Sequence, residues 1–457
     1  MSFGKTGTVP VRALPRAGLG RLSLRRLGAL SLGLSLVGCA GYSVAPGPSV
    51  QALSHSVASG PPAHSGLTVL WTFAGYPDAA NPEGGVIVAK GGKIFGTTYA
   101  GGVISSPGYG TVFELEPAGK TYNESILTSY TGDDGAFPSA SPIEDARGNV
   151  YVTTQEGGAS GGNGTVTELS PAGDGYSVTD SYAFPSNGGS GPWGPLLLHG
   201  GTLYAAVYTD YANKHTYPGG IYALGAGLSA SDLYEFTGSP DGASPIAPLV
   251  EANDGLYGTT ELGGTGTCSG GGCGTVFRYV LGKKGAGESV LWNFQGPNSG
   301  GSDGAFPYGG VVIDKSGNIY GTTAEGGADG DGTIFKLTKT AGGYTESILH
   351  SFSGTINEGP DGGAPLAGLT LKGSVLYGTT SRGGSAACSC GTIFQISTTG
   401  SNYSVLHSFS GNDGAVPFYG SLFLKGTSLY GTTAYGGNAG GNCGSQGGCG
   451  VVYRFIP

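Results

Sequence analysis

The residues of this chain whose types and spacing could do chemistry are its cysteines and a recurring set of aspartates. Six of the seven cysteines fall in pairs, Cys268 with Cys273, Cys388 with Cys390 and Cys443 with Cys449, each inside one short loop. Such spacings can hold zinc through thiolates. No histidine or second thiolate pair lies nearby in sequence, so local disulfides are the simplest connectivity. A Cys388–Cys390 ring would be very small, and the sequence leaves its oxidation open. Asp134, Asp241, Asp303, Asp361 and Asp413 recur in loops of the D-G-A-x-P type. A ring of carboxylates could ligate calcium, but Asp-Gly is also the chemistry of a tight turn whose side chain caps a backbone N–H. No loop has a dense D-x-D-x-D series, so the turn reading is preferred and no metal is expected. One loop mixes aromatic and polar residues densely: Tyr208, Asp210, Tyr211, Asn213, Lys214, His215 and Tyr217. These could stack on and hydrogen-bond a sugar or a peptide, although drift in a degenerate repeat is the plainer account. Gly158 to Gly162 fits G-x-S-x-G, a chance match in a chain with 94 glycines, and no strand-to-helix elbow surrounds it. With no H-E-x-x-H, P-loop or dinucleotide fingerprint, no catalytic residue and no cofactor are expected.

The elements that position these loops come from a repeat. L-Y-G-T-T-x-x-G-G is followed by a variable loop, then G-T-V/I-F-x-L, then x-L-x-S-F-x-G and D-G-A-x-P. The first element reads clearly at Ile94–Thr98, Leu256–Thr260, Ile319–Thr323, Leu376–Thr380 and Leu429–Thr433, and weakly at Val150–Thr154 and Leu203–Ala206. The L-x-S-F element ends at Phe73, Tyr130, Phe184, Phe236, Phe294, Phe352 and Phe409, and the G-T-V-F element also counts seven. His350 and His407 replace Trp71 and Trp292 within it, a structural substitution. Alternation, β-branched and aromatic residues and Gly/Asn/Asp punctuation predict four short strands per unit. A unit this small cannot bury both sheet faces, so copies must stack. The expectation is an all-β, seven-bladed β-propeller of four-stranded antiparallel blades. The pattern opens on a lone L-x-x-F strand from Val69 to Phe73 and finishes on a G-T-V-F strand at Val451–Phe455. The N-terminal strand is therefore expected to complete the last blade and close the ring.

The amino terminus addresses the compartment. Residues 1–26 carry Lys5 and five arginines and no acid, an apolar run follows from Leu27 to Val37, and Leu36-Val37-Gly38-Cys39 resembles the bacterial lipobox. The resemblance implies a signal peptide over 1–38 and lipidation of Cys39. Residues 39–66 then form the lipidated cysteine and a flexible, proline-rich linker, and 67–457 the propeller. Ala40 after the cysteine leans towards the outer membrane. Removing the signal leaves fifteen basic residues against thirty acids. Such a chain repels phosphate backbones, which excludes nucleic acid as a partner.

L-Y-G-T-T-x-x-G-G followed by G-T-V-F-x-L is similar to the GloVer tandem repeat of bacterial surface proteins, over roughly residues 67–457. The diglycine also resembles kelch repeats, without their Tyr…Trp pattern. The resemblance implies an extracytoplasmic repeat domain and no established reaction. The expected protein is thus a monomeric envelope lipoprotein, attached to a membrane through its lipid. Its propeller is expected to be a non-catalytic binding module for a glycan, a protein or another envelope component. The alternative is a carbohydrate-active hydrolase or lyase, which needs paired acids or an acid–His–Tyr cluster at one end of the channel.

Overall fold

The computed structural model describes residues 66–457 except 103–107, 160–161, 186–190, 209–217, 253–254, 283–286, 298–302, 355–358, 386–387 and 438–447. Seven four-stranded antiparallel sheets follow one another along the chain. The fifth is typical, with Val312–Ile313, Ile319–Thr323, Thr333–Thr340 and Gly343–Ser351 hydrogen-bonded in chain order. Helical structure among the described residues is confined to short 3₁₀ stretches, such as those at Lys90–Gly92 and Ala226–Leu228. The segments ahead of the first strands touch their neighbours. Gly309 lies against Ala367, Gly310 against Pro248 and Gly84 against Ala140. First strands therefore line the central channel, and fourth strands form the rim.

The repeat motif has a packing reason at each position. The glycine of L-Y-G-T-T admits the aromatic ring of G-T-V-F from the adjacent strand: a Cβ on Gly321 would lie 2.6 Å from Phe335 Cζ, and one on Gly258 2.7 Å from Phe277 Cζ. The first threonine donates to a carbonyl of the next blade, as Thr97 does to Ala140 at 2.8 Å and Thr322 to Ala367 at 2.9 Å. The second threonine meets the threonine of G-T-V-F inside the blade, with Thr323 and Thr333 at 2.8 Å and Thr98 and Thr111 at 2.7 Å. Each hydroxyl is buried and satisfied, which contributes about 1 kcal/mol per bond. Phenylalanines relay between blades edge to face: Phe294 with Phe335 and Phe73 with Phe113, both 5.1 Å apart. The three-residue L-x-x-F spacing breaks strand alternation. The cause is a bulge between the third and fourth strands of every blade, at Ile334/Phe335 in the fifth.

Closure is double. Leu67–Thr72 pairs antiparallel with Val451–Phe455, from Leu67 opposite Phe455 to Thr72 opposite Val451, and becomes the outer strand of the seventh sheet. At the channel, Tyr419 and Gly420 N–H groups both donate to the Glu83 carbonyl, at 3.0 and 3.1 Å. Cys268–Cys273 and Cys388–Cys390 are joined as disulfides. Cys449 is also disulfide-bonded, while Cys443, Cys39 and residues 1–38 lie outside the described residues.

Candidate functional site: the channel mouth

Two loop sets share one face: the loops between second and third strands, and the D-G-A-x-P loops. They pair with each other, Gly304–Ala305 with Glu325–Gly326 and Gly242–Ala243 with Leu262–Gly263. The aspartates serve as turn caps. Asp303 accepts from Gln295 N at 2.7 Å and Gly304 N at 2.6 Å, and Asp134 from Thr131 N at 2.7 Å and its hydroxyl at 2.8 Å. The two histidines fasten the same loops, His350 Nε2 lying 3.1 Å from Asp361 and His407 Nε2 2.9 Å from Asp413. Burial lowers the pKa of His350, against the opposing pull of Asp361. Their role is structural.

In six blades the residue before the repeated proline adopts a left-handed backbone without being glycine: Asn81, Phe137, Ser244, Phe306, Ala364 and Val416 all have φ between 49° and 59°. Such a conformation costs about 1–2 kcal/mol at a residue with a Cβ. Both peptide groups are clamped in return. Phe306 N donates to Cys273 O of one blade at 2.9 Å, and Ala324 N of the next donates to Phe306 O at 3.0 Å. In six blades this kink precedes the segment that enters the channel mouth, which carries Glu83, Ser139, Ile246, Tyr308 and Tyr419; in the third blade Gly191, without a left-handed φ, stands before Pro192 and Trp193. Strain held in place by its surroundings is a mark of functional sites.

At the mouth, Ser139, Trp193, Ile246, Pro248, Tyr308 and Tyr419 line a small cavity of about 20 Å³. Tyr308 and Tyr419 stack with ring centroids 6.3 Å apart, Trp193 lies 6.4 Å from Tyr419 at an interplanar angle of 58°, and Tyr208 lies 4.6 Å from Trp193. Tyr308 Oη donates to Glu261 Oε1 at 3.0 Å. Gln155 Nε2 donates to Ser139 Oγ at 2.5 Å. The Trp193 indole N–H is buried without an acceptor among the described residues.

Carboxylates surround these rings. Glu83 is partly open at its surface yet ringed by protein, and that burial pushes its pKa up to about 8. Burial also raises Glu156. Tyr99 is pushed up to about 12 by burial, then by Glu83 and Glu156; Tyr419 rises by burial, then by Glu83 and Glu261. Burial is the leading cause of each shift, and neighbouring acids add to it at the two tyrosines. A separate carboxyl seam lies between blades. There Tyr234 Oη donates to Asp241 at 2.9 Å and to Glu288 at 3.4 Å, and burial, then neighbouring aspartates, raises Glu288 to about 7 and Glu346 to about 8.

Of the residues the sequence pointed to, Tyr208 stands at the mouth against Trp193. Asp210, Tyr211, Asn213, Lys214, His215 and Tyr217 lie outside the described residues. Sequence reasoning missed Glu83, Trp193, Tyr308 and Tyr419. A usable signal existed for three of them: Glu83, Trp193 and Tyr308 occupy the position after the repeated proline, which varies from unit to unit, while Tyr419 lies one position farther on.

Among solved structures, a crystal structure of a protein from Lactobacillus plantarum is 15% identical, with a TM-score of 0.47 over 74% of this chain and 86% of that one. PorZ, described as an essential bacterial surface component of the type-IX secretion system of Porphyromonas gingivalis, is 13% identical, with a TM-score of 0.46 over 81% of this chain. The match spans 46% of PorZ, less than half its length. A search of curated proteins finds no match. The Gloeobacter/Verrucomicrobia repeat matches residues 59–265 and 143–390, most of the chain. With its motif, blade count and ring closure accounted for residue by residue, the chain belongs to the Gloeobacter/Verrucomicrobia repeat family.

Proposed function

We propose that this protein is a lipid-anchored envelope module that binds a glycan at the mouth of its propeller channel and does no chemistry on it. The supporting observation is the convergence of Trp193, Tyr308 and Tyr419 round one cavity beside the carboxyl groups of Glu83 and Glu261. Aromatic planes offer a pyranose ring an apolar face, and carboxyl, phenol and indole groups offer its hydroxyls fixed partners. The lipidated cysteine of this reading is Cys39, with the flexible residues after it as tether; labelled palmitate incorporation, lost in Cys39→Ala, checks that part. For the site, a glycan-array screen followed by titration calorimetry is the test. Trp193→Ala and Tyr419→Ala should each weaken binding at least tenfold with little change in melting temperature. Undiminished binding in both variants sinks the assignment.

One observation favours an enzyme instead. A carboxyl group whose pKa is raised towards neutrality and beyond, as burial raises that of Glu83 to about 8, is what a general acid requires. The two readings separate on Glu83→Gln: a hydrolase or lyase would lose turnover of its glycan, whereas a binder shows no product with either chain.

A further inference from the structure

Three blades carry a cysteine directly before the glycine of G-T-V-F: Cys273, Cys390 and Cys449. All three are buried, and their carbonyls hold the residue before the proline of the following blade. Cys273 O accepts from Phe306 N at 2.9 Å, Cys390 O from Val416 N at 2.8 Å and Cys449 O from Asn81 N at 2.8 Å. The earlier cysteines Cys268 and Cys388 differ from each other. Cys268 is packed against the core of its blade, and a Cβ on Gly296 would run into the sulfurs of both Cys268 and Cys273. In the sixth blade that cover is missing. Cys388 and Ser389 are exposed, and a Cβ on Gly411, the counterpart of Gly296, would lie 3.9 Å from Cys390 Sγ and meet nothing closer.

We propose that Cys388–Cys390 is a thiol–disulfide exchange site at which Cys388 takes up a low-molecular-weight thiol, whereas Cys268–Cys273 is a permanent fastening. The proposal is independent of the glycan reading. Exchange needs a sulfur that an incoming thiolate can reach, and exposed disulfides are the labile ones. Cys388 offers such a sulfur, while Cys390 is shielded. One residue separates the two half-cystines, so the bond closes almost no chain and adds little to the stability of the blade. Other contacts hold the loop when the bond is open. Ser389 N donates to Ser385 O at 2.8 Å, Gly383 N to Ser389 Oγ at 2.9 Å and Gly391 N to Gly383 O at 3.1 Å. Cys388 Sγ lies 3.6 Å from Phe409 O, an acceptor already in place for the freed thiol.

The step balances without a further reagent. The external thiolate forms a sulfur–sulfur bond to Cys388 Sγ as the Cys388–Cys390 bond breaks, and the electron pair leaves on Cys390 Sγ. The Cys390 thiolate can return the attack on Cys388 Sγ and expel the external thiolate, which restores the starting state. Alternatively a second external thiolate attacks the external sulfur of the mixed disulfide. Cys388 then leaves as thiolate, the two external thiols are oxidised to their own disulfide, and the two protons they gave up end on Cys388 and Cys390.

The test equilibrates the full chain in detergent micelles with graded mixtures of reduced and oxidised glutathione, quenches with N-ethylmaleimide and maps the peptides by mass spectrometry. Cys388–Cys390 should open at a thiol concentration at least tenfold lower than opens Cys268–Cys273, with glutathione on Cys388 and maleimide on Cys390. Cys390→Ser removes the thiolate that expels the adduct, so glutathione on Cys388 should accumulate to at least ten times the parent level. In Cys388→Ser the remaining buried thiol should take up glutathione at least tenfold more slowly than Cys388 does in Cys390→Ser. Melting temperatures of both variants should stay near that of the parent, which separates local exchange from unfolding. Opening of both disulfides at the same thiol concentration overturns the proposal, as does an adduct on Cys390 or opening only under conditions that melt the chain. Free thiols at both positions in protein purified without reductant overturn it as well.

Discussion

Blades three and five have the same architecture and very different sequences. Blade five has Gly321 under Phe335 and a buried Thr323–Thr333 hydroxyl pair. Blade three has Ala205 with a half-buried Tyr222 in those places, and Val207 with Gly220 where the threonines would meet. Both still form four antiparallel strands with the bulge between third and fourth. Alternating apolar residues and turn glycines are thus enough to make a blade. The glycine–aromatic and threonine pairs are refinements that pin the mouth-face loops, and where they are absent the chain carries Trp193 and Tyr208 instead.

Substitutions in the two blades can break or sharpen this contrast. The largest effect is expected for Phe335→Ala, which empties a fully buried ring site and should cost about 3–5 kcal/mol, against clearly less for the half-buried Tyr222→Ala; denaturant titration decides. Equal losses would mean the third blade is as tightly packed as the fifth. Next, Gly321→Val should cost about 1–3 kcal/mol by driving into Phe335, whereas Ala205→Val should fall well below it in the same measurement. Thr323→Val strands the Thr333 hydroxyl and should cost about 1–3 kcal/mol, while Thr323→Val with Thr333→Val should recover most of that. If the double variant is as unstable as the single, the pair is not an isolated hydrogen-bonded unit.

The smallest effect is a pH trend. Glu346 on the outer strand of blade five has a pKa raised to about 8 by burial and then by Asp303; blade three has Ala230 at the equivalent place. A carboxyl group whose folded pKa is raised binds protons more tightly when folded, so its stabilisation is complete below the unfolded value near 4.5 and is lost as pH rises through about 8. Melting temperature should fall between pH 5 and 8, and Glu346→Gln should flatten the slope. A slope unchanged by that substitution would locate the effect elsewhere, with Glu288 the next candidate.

Blade count, strand order and ring closure were legible because they rest on spacing that repeats seven times. The bulge was only half visible. L-x-x-F spacing is compatible with a bulge in strands that otherwise alternate, but it does not say that six blades place it three residues before the closing aromatic and the second blade two residues earlier. The mouth was hidden for a different reason. Glu83, Trp193, Tyr308 and Tyr419 are far apart in sequence, and the segments after the repeated prolines bring them together. Left-handed Phe306 and Ala364 give no composition signal, since neither residue type favours that backbone. The segment that did attract attention, residues 208–217, meets the site through Tyr208 because an unusual composition is visible in one chain and a shared mouth is not.

The strand that latches the ring has a mechanical consequence. Its hydrogen bonds to Val451–Phe455 lie across the strand direction, so a pull on the chain ahead of Leu67 along that direction loads them in shear, all at once. Such a joint resists up to a threshold and then gives way as a single event. The short loop released next ends at Glu83, so tension transmitted from a tether would reach the carboxyl group at the mouth before any other blade is disturbed.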